Sequence, residues 1–319
     1  MKRPAPQICI LVPCYNEEEL LLDSADKLAL LLGDMISESL IKATSYICFV
    51  NDGSTDATWE LICTCMRKSQ MFRGINLSKN FGHQSALIAG LNTAKADAYV
   101  SIDADLQDDE RKIIEMVELY REGKEIVYGC RNNRDSDTMF KRATAEAFYK
   151  IRSYLGCSTI RNHADFRLMS ARAVVALKEY KEVNLYLRGI IPMLGFPSSR
   201  VYYARRKREQ GVSKYPFSKM LKLAWDGIVN FSDKPLKACL FVAIGSLILC
   251  IALIIWAFGL WWQGQTIPGW ASLLVVVCFF NCFQFIFLGI IGLYISKALC
   301  EIKHRPTYII QDDYSNGRG

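Results

Sequence analysis

Two aspartates with one residue between them, Asp103 and Asp105, directly follow a short apolar run at 98–102 and precede Gln107. A run of this length is typical of a buried strand. Mg²⁺ and Mn²⁺ prefer oxygen ligands, and water and substrate phosphates usually complete their coordination. The spacing therefore predicts Asp103, Asp105 and Gln107 as ligands of Mg²⁺ or Mn²⁺ held against a phosphorylated substrate. A solvated acidic turn without a metal is the alternative.

Two earlier apolar runs end in polar turns in the same way. Residues 8–12 run into the turn 13–18, and residues 46–50 run into the turn 51–56, with segments of helical character after each. Alternating strands and helices predict an α/β fold with a parallel sheet, whose ligands lie outside the carboxyl ends of the strands. The three polar turns are therefore expected to meet in one crevice.

The turns point to a nucleotide, although the familiar glycine-rich motifs are absent. No G-x-G-x-x-G and no G-x-x-x-x-G-K-[ST] occurs. Pro13, Tyr15 and Glu17 are suited to stacking on a base and accepting hydrogen bonds from it or its ribose. Asp52 can do the same, although aspartates in turns more often bind their own backbone.

Four segments carry a family resemblance: 12–17 (VPCYNE), 50–54 (VNDGS), 80–84 (NFGHQ) and 103–108 (DADLQD). They resemble family 2 glycosyltransferases of the GT-A fold, a Rossmann-like nucleotide-diphospho-sugar transferase. More narrowly, they are similar to polyprenyl-phosphate glycosyltransferases, the group of dolichol-phosphate mannose synthases and bactoprenol glucosyltransferases. The likeness runs from about residue 7 to the end. It implies that the nucleotide sugar contacts Pro13, Tyr15, Glu17, Asp52, Gln84, Asp103 and Ala104.

A strongly basic segment follows, with eight Lys or Arg and one acid between residues 200 and 222. Adhesion to anionic lipid head groups is one explanation. The end of this segment also resembles the family's basic loop, which finishes in Ser-Lys-Tyr and lies over the donor phosphates. Arginine forks suit bidentate phosphate binding. The residues implied by the likeness are Arg205, Arg206, Arg208, Ser213 and Lys214.

The segment 162–169 resembles the family's Gly-Asp-Phe-Arg-Leu motif, with Ala164 in place of the glycine. The resemblance implies that Asp165 is the carboxylate nearest the acceptor. It can act as a base or orient an arginine or the acceptor, and a purely structural pairing with Arg167 is a further alternative. Arg131 is a candidate for holding an anionic acceptor. The predicted catalytic residues are Asp105, Asp165 and Arg131.

No charged residue or histidine occurs between Ala238 and Ser296. Since a membrane helix needs about 20 apolar residues, two spans are predicted, at 236–260 and 271–295. Basic residues cluster at the outer ends of the spans, so the positive-inside rule places the head and both termini in the cytoplasm. Polar Asn281 and Gln284 within the second span suggest packing between helices or between subunits of a homo-oligomer.

The predicted organisation has four parts. A GT-A catalytic domain at 1–215 precedes an amphipathic interfacial helix at 216–235, the membrane hairpin at 236–296 and a cytoplasmic tail at 297–319. The activity implied is inverting, metal-dependent transfer of a sugar from a nucleotide sugar to a polyprenyl phosphate at the cytoplasmic (inner) membrane. UDP-glucose and undecaprenyl phosphate are the first choices, and nothing suggests a nucleic acid partner.

Two other functions remain open. A processive polysaccharide synthase shares the head, but no Gln-x-x-Arg-Trp segment occurs and two spans form a poor translocation path. A non-catalytic membrane scaffold or lipid-binding module is the second alternative. The intact acidic motif at 103–108 argues against it.

Overall fold

The computed structural model describes residues 2–132, 163–180, 182, 187–204 and 269–315, with scattered positions between 241 and 263. The chain divides into two compact units. The head unit comprises residues 1–149, 158–214 and 306–319. The second unit comprises residues 150–157 and 215–305.

The first half of the head alternates strands and helices as the sequence predicts. Its elements are β1 (Ile8–Cys14), α1 (Leu21–Ser37), β2 (Tyr46–Asn51), α2 (Thr58–Lys68), β3 (Phe72–Leu77), α3 (His83–Thr93), β4 (Ala98–Ser101), α4 (Lys112–Arg121) and β5 (Ile126–Arg131). The later elements are β6 (His163–Ser170), α5 (Ala171–Lys178), α6 (Leu187–Met193), β7 (Ser198–Tyr203), α7 (Trp270–Ile302) and β8 (Ile310–Asp313).

The strands form one sheet in the order β7-β5-β6-β4-β1-β2-β3-β8. The predicted α/β class is confirmed, but the sheet is mixed instead of wholly parallel. β6 runs antiparallel between β4 and β5, and β8 runs antiparallel to β3. Hydrophobic periodicity does not encode strand direction, so the sequence pattern misses both reversals.

The reversal of β6 decides where Asp165 lies. Ser101, the last residue of β4, pairs with Arg167 of β6. Since the strands run in opposite directions, Asp165 on β6 and Asp103 after β4 both lie beyond this pair, at the same edge of the sheet. An antiparallel strand must therefore carry its site residue near its beginning.

The core holds the strand ends in place. All seven residues of β1 are buried, which is expected for a strand covered by helices on both faces. α3 lies close to β1, since a Cβ on Gly90 would approach Leu11 Cδ2 to 2.8 Å. This tight packing holds α3, the helix that begins at His83, against β1.

The last strand follows α7 in the chain and completes the edge of the head sheet. β8 pairs with β3, and Asp312 Oδ2 accepts a hydrogen bond of 2.9 Å from Asn76 Nδ2. Tyr314 stacks on Trp59, with ring centroids 6.4 Å apart. Part of the predicted cytoplasmic tail thus belongs to the fold of the head, an outcome that the sequence analysis did not anticipate.

Helix α7 is mostly apolar, and its first charged residue is Lys297, near the end of the helix. It contains the predicted span 271–295, and its part Phe279–Ile302 is long and apolar enough to cross a membrane, the one such helix among the described residues. Large apolar side chains along it are exposed, including Phe285 and Ile286. The other predicted span and the interfacial helix 216–235 lie largely or wholly outside the described residues, so the hairpin remains a prediction.

Candidate active site

Asp103 and Asp105 lie on a tight turn directly after β4. The Asp103 carbonyl accepts a hydrogen bond of 3.2 Å from the Leu106 N–H, and Asp105 Oδ1 accepts one of 3.3 Å from the Gln107 N–H. Leu106 adopts a left-handed conformation with φ of 42°. Ala104 and Leu106 are buried, whereas both aspartates are half-buried. The apolar residues of the turn anchor it while its carboxylates stay accessible.

The charges around Asp103 suit a bound cation. Burial raises the pKa of Asp103, and the carboxylates of Asp108, Asp165 and Asp105 raise it further, against a lowering by His83. A divalent cation beside Asp103 and Asp105 would offset this repulsion. The residues therefore fit the predicted metal by their charge and ligand type.

The protein ligands for such a cation are few. Within the described ranges, no group of three or more His, Cys, Asp or Glu side chains is arranged to hold a metal. Gln107 is buried, and its Nε2 has no hydrogen-bond partner in that part of the chain. A cation here would take its remaining ligands from water or substrate phosphates. The metal site stays a prediction.

Asp165 is held by two arginines. Arg167 Nη2 donates to Oδ1, and Arg188 donates to both oxygens, from Nε to Oδ1 at 3.2 Å and from Nη2 to Oδ2 at 2.7 Å. Burial by itself raises the pKa of Asp165, but Arg167, Arg188 and His83 outweigh it and hold the pKa well below its ordinary value. A carboxylate held in this state is a poor proton acceptor at neutral pH.

His83 lies between the two acidic centres of the site. Its Nε2 is 3.6 Å from Asp103 Oδ1 and 3.7 Å from Asp165 Oδ2. It is the first residue of α3, whose N-cap Gly82 has φ of 96°. The imidazole thus links the turn after β4 to the arginine-bound carboxylate on β6.

Arg131 is anchored in a similar way at the end of β5. Its Nε and Nη2 lie 3.3 and 3.1 Å from Oδ1 of Asp108, whose side chain is 2% exposed. Burial lowers the pKa of Arg131, but Asp108 and Tyr203 outweigh it, and the pKa is raised. Asp108 and Asp165, two buried aspartates that both raise the pKa of Asp103, therefore each hold a partly exposed arginine.

The turns after β1 and β2 interlock on the predicted nucleotide side. Asn16 Oδ1 accepts a hydrogen bond of 2.9 Å from the Thr55 N–H, and the Glu17 N–H donates to Thr58 Oγ1 at 2.9 Å. Pro13 is buried at the end of β1, whereas the Tyr15 ring is exposed. Tyr15 is thus accessible for stacking on a base, the role predicted for it.

Asp52 faces the backbone that leads into α3. Its Oδ1 accepts from the Phe81 N–H at 2.7 Å, and its Oδ2 accepts from the Gly82 N–H at 2.9 Å. Burial raises the pKa of Asp52, partly offset by these two bonds and by His83. The structure brings Asp52 to the site as a support for the segment that carries His83, and its nucleotide contact stays a prediction.

Gln84 connects α3 to α6. Its Oε1 accepts a hydrogen bond of 3.0 Å from the backbone N–H of Leu187, which directly precedes Arg188. Gln84, which is predicted to contact the nucleotide sugar, therefore also holds the start of α6, the helix that contains Arg188.

The family profile described as Glycosyl transferase family 2 matches residues 9–176, which include the acidic turn and Asp165. The chain belongs to glycosyltransferase family 2. This family 2 enzyme is 45% identical to the uncharacterized glycosyltransferase YkoT of Bacillus subtilis (strain 168), over 99% of this chain and 94% of that protein. It is 34% identical to the bactoprenol glucosyl transferase of Shigella phage SfV, over 96% and 99% of the two chains. The predicted enzyme class, a glycosyltransferase, is confirmed.

Likeness to solved structures is more distant. The mannosyltransferase PcManGT from Pyrobaculum calidifontis, in complex with GDP-Man and Mn²⁺, matches with a TM-score of 0.45 and 16% identity, over 95% of this chain and 89% of that one. At that distance it decides nothing about the site of this family 2 enzyme.

Some predicted residues lie outside the described part of the enzyme, and some described ones were not predicted. The basic loop residues Arg205, Arg206, Arg208, Ser213 and Lys214 belong to the first group. His83 and Arg188 belong to the second. His83 stands inside the motif 80–84 and could have been chosen from it, whereas Arg188 has no local signal, because only the fold brings it to Asp165.

Proposed function

We propose that this glycosyltransferase transfers glucose from UDP-glucose to a polyprenyl phosphate, with undecaprenyl phosphate as the acceptor at the cytoplasmic face of the membrane. The observation that carries the proposal is the full-length likeness to bactoprenol glucosyl transferases. The site supports it, because the carboxylates suited to a metal lie close to Asp108 and Asp165, each of which holds an arginine. The product is a lipid-phosphate-linked sugar for use in cell-envelope or O-antigen glycosylation.

On the donor side, Asp103 and Asp105 hold the cation, Mg²⁺ or Mn²⁺, with Gln107 next to them. When bound, the cation neutralises charge on the departing diphosphate. Tyr15 and Glu17 receive the nucleoside at the turn after β1. The basic loop at 205–214 covers the diphosphate.

On the acceptor side, a phosphate oxygen of the lipid attacks the anomeric carbon from the face opposite the diphosphate. A phosphate monoester has its second pKa near 6 and is largely ionised at neutral pH, so the reaction does not require Asp165 as a base. Asp165 instead holds its arginines in position. A single displacement inverts the configuration, so an α-linked donor yields a β-linked product.

The apolar surface of α7 supports the membrane location. A mostly apolar helix with many exposed large apolar side chains is suited to lipid contact. We include the predicted first span and the interfacial helix 216–235 in this proposal, with both termini cytoplasmic. This arrangement keeps the head beside an acceptor whose tail stays in the bilayer.

The test is transfer of label from nucleotide sugar to lipid by membranes that contain the full chain. With radiolabelled UDP-glucose, undecaprenyl phosphate and Mn²⁺, we expect acid-labile label in the lipid extract, and none when EDTA is added. Parallel reactions with UDP-N-acetylglucosamine and GDP-mannose test the donor. Label from another sugar would correct only the donor, whereas no lipid label from any donor would contradict the proposed acceptor.

A further inference from the structure

A row of polar side chains crosses three neighbouring strands of the head sheet. Asn51 of β2 pairs in register with Asn76 of β3, and Asn76 pairs with Asp312 of β8. Asn51 is 2% exposed and Asn76 is 7% exposed. Asparagine is uncommon in strands, and burial of a polar group costs free energy unless the group is hydrogen-bonded. The two asparagines are therefore expected to be joined to their neighbours by hydrogen bonds.

The hydrogen bonds of this row continue into the turn after β1. Asn76 Nδ2 donates to Asp312 Oδ2 at 2.9 Å, and Asn51 Nδ2 donates to Asn76 Oδ1 at 2.8 Å. Ser54 Oγ donates to Asn51 Oδ1 at 2.5 Å and accepts a hydrogen bond of 3.0 Å from the Asn16 N–H. These four bonds form one network that joins β8 to the turn after β1.

In each bond of the network, the acceptor is the group nearer to Asp312. An ionised carboxylate can only accept hydrogen bonds, whereas an asparagine amide and a hydroxyl can both donate and accept. Asp312 therefore orients the amide of Asn76, and the amide of Asn76 orients that of Asn51. The hydroxyl of Ser54 then donates to Asn51, which leaves its oxygen as the acceptor for the Asn16 N–H. Hydrogen bonds connected in this way polarise and strengthen one another.

The far end of the network holds the backbone next to Tyr15. The Asn16 N–H belongs to the peptide unit that joins Tyr15 to Asn16. Asn16 has φ of 53°, a left-handed conformation that is uncommon for residues other than glycine. A fixed backbone at this position limits the directions that the Tyr15 ring can take. The ring is 46% exposed, and such preorganisation favours its predicted stacking on a base.

We propose that Asp312 is a positioning residue of the nucleotide site and that it acts on Tyr15 through this network. The inference rests on the proposed function, which assigns Tyr15 to the nucleoside. Without Asp312, fewer molecules have the turn after β1 in the conformation that binds. The apparent affinity for a ligand falls in proportion to the fraction of binding-competent molecules. The strand after α7 thus contributes to donor binding in addition to covering the edge of β3.

The first experiment measures donor affinity in the detergent-solubilised full chain. Calorimetry with UDP and Mn²⁺ compares Asp312→Ala with Asp313→Ala, the neighbouring exposed aspartate of β8, whose Oδ1 accepts from the Ser315 N–H outside the network. We expect Asp312→Ala to weaken UDP binding by about three- to tenfold and Asp313→Ala to match the wild type. Asp312→Asn keeps an acceptor oxygen without the charge, so its affinity should lie between those of wild type and Asp312→Ala.

A double-mutant cycle tests whether Asp312 acts through the network. Ser54→Ala interrupts the network beside the turn, so the addition of Asp312→Ala should cause little further loss of UDP affinity. Two distant substitutions that act independently have additive free energies, and their fold-changes multiply. A general loosening of β8 would give this second result.

Hydrogen exchange measured by mass spectrometry tests the network without any ligand. We expect the peptide that contains the Asn16 N–H to exchange faster in Asp312→Ala than in the wild type. Asp313→Ala should exchange at the wild-type rate there. Thermal unfolding of each variant shows that the comparison is made between folded proteins.

The outcomes separate this inference from the proposed function. If the wild type binds neither UDP nor GDP with Mn²⁺, the proposed function fails, and the inference fails with it. If the wild type binds but Asp312→Ala loses no more affinity than Asp313→Ala, only the inference is overturned. Independent losses from Asp312→Ala and Ser54→Ala, or unchanged exchange at Asn16, would show that β8 acts only by covering the sheet edge.

Discussion

Asp103 and Asp165 are the same residue type at the same edge of the sheet, yet their surroundings suit them to different tasks. Burial raises the pKa of Asp103, and the carboxylates around it raise this pKa further. Asp165 lies between two arginines, which keep it ionised despite burial. The first environment favours a bound cation, and the second makes the carboxylate an anchor. Substitutions of the two aspartates should therefore have different consequences.

At Asp103 and Asp105, removal of charge should abolish activity and spare the fold. We expect Asp105→Asn to lower transfer at saturating Mn²⁺ by more than about a hundredfold, and Asp103→Asn to be severely impaired, because each removes a negative ligand from the cation site. Radiolabel transfer measures the activity, and Asp26→Asn, an exposed position on α1, is the control. Near-normal turnover in both variants would exclude the metal assignment.

At Asp165, removal of charge should cost stability as well. Asp165→Asn removes the carboxylate charge with which Arg167, whose side chain is 2% exposed, forms an ion pair. Breaking a buried pair from one side typically costs about 3–5 kcal/mol, roughly 10 °C in the midpoint of thermal unfolding for a domain of this size. Thermal unfolding in detergent, beside that of Asp105→Asn, checks this difference. An equal and small shift in both variants would mean that Asp165 is not a structural anchor.

Glu125 predicts how the stability of the head changes with pH. It precedes β5 and accepts a hydrogen bond of 2.5 Å from Arg3 Nη2. Burial raises the pKa of Glu125, but bonds from Ser170 and Arg3 outweigh it, so the pKa lies below the ordinary value of 4.5. At a pH above this ordinary value, ionised Glu125 therefore stabilises the fold. This contribution is lost as the pH falls through the lower pKa that Glu125 has in the folded state.

We accordingly expect Glu125→Gln to destabilise the head by about 1.5–3 kcal/mol at neutral pH, and by less in acid below the ordinary glutamate pKa. Thermal unfolding at several pH values measures the difference. Glu118→Gln, at an exposed position of α4, is the control. A pH-independent difference from wild type would show that the charge of Glu125 is not responsible.

Among the elements, β8 has a role that its place in the chain does not suggest. It covers the edge of β3, and Arg73 Nη1 donates to the Ser315 carbonyl at 2.7 Å. An exposed strand edge presents unpaired backbone groups and promotes aggregation. The segment after α7 thus protects the sheet that supports the site.

Removal of β8 should therefore destabilise the head. A chain truncated after Arg305 lacks β8, the Asn76–Asp312 bond and the Trp59–Tyr314 stack. We expect a lower unfolding temperature and more aggregation than for a chain truncated after Ser315, which keeps all three. Size-exclusion chromatography and thermal unfolding measure both effects. Equal behaviour of the two truncations would show that β8 is dispensable.

For the whole molecule, the proposed location depends on α7. Ile286 lies near the middle of this helix and Ile302 is its last residue, and both are exposed. A charged side chain at the centre of a membrane helix costs about 2.5–3.5 kcal/mol in insertion experiments, far more than one at its end. We expect Ile286→Arg to weaken membrane retention in alkaline carbonate and Ile302→Arg to leave it intact. Equal retention of both variants would argue against a membrane-spanning α7.

Short-range patterns are sufficient for much of the head. Apolar runs followed by polar turns predict β1, β2 and β4 and the aspartates after β4, because burial and turn chemistry are local properties of the chain. The apolar composition around 271–295 likewise predicts the helix α7. In each case a few neighbouring residues contain the whole signal.

The sequence by itself therefore determined the α/β class, the acidic turn and the family motifs, all of which rest on residues close together in the chain. Only the tertiary structure decided the direction of β6, the addition of β8 and the partners of Asp165. Arg188 is 23 residues from Asp165, and Asn76 is 236 residues from Asp312. Such pairs form only when the sheet has assembled, because contact between distant residues depends on strand order and direction, which local periodicity does not specify.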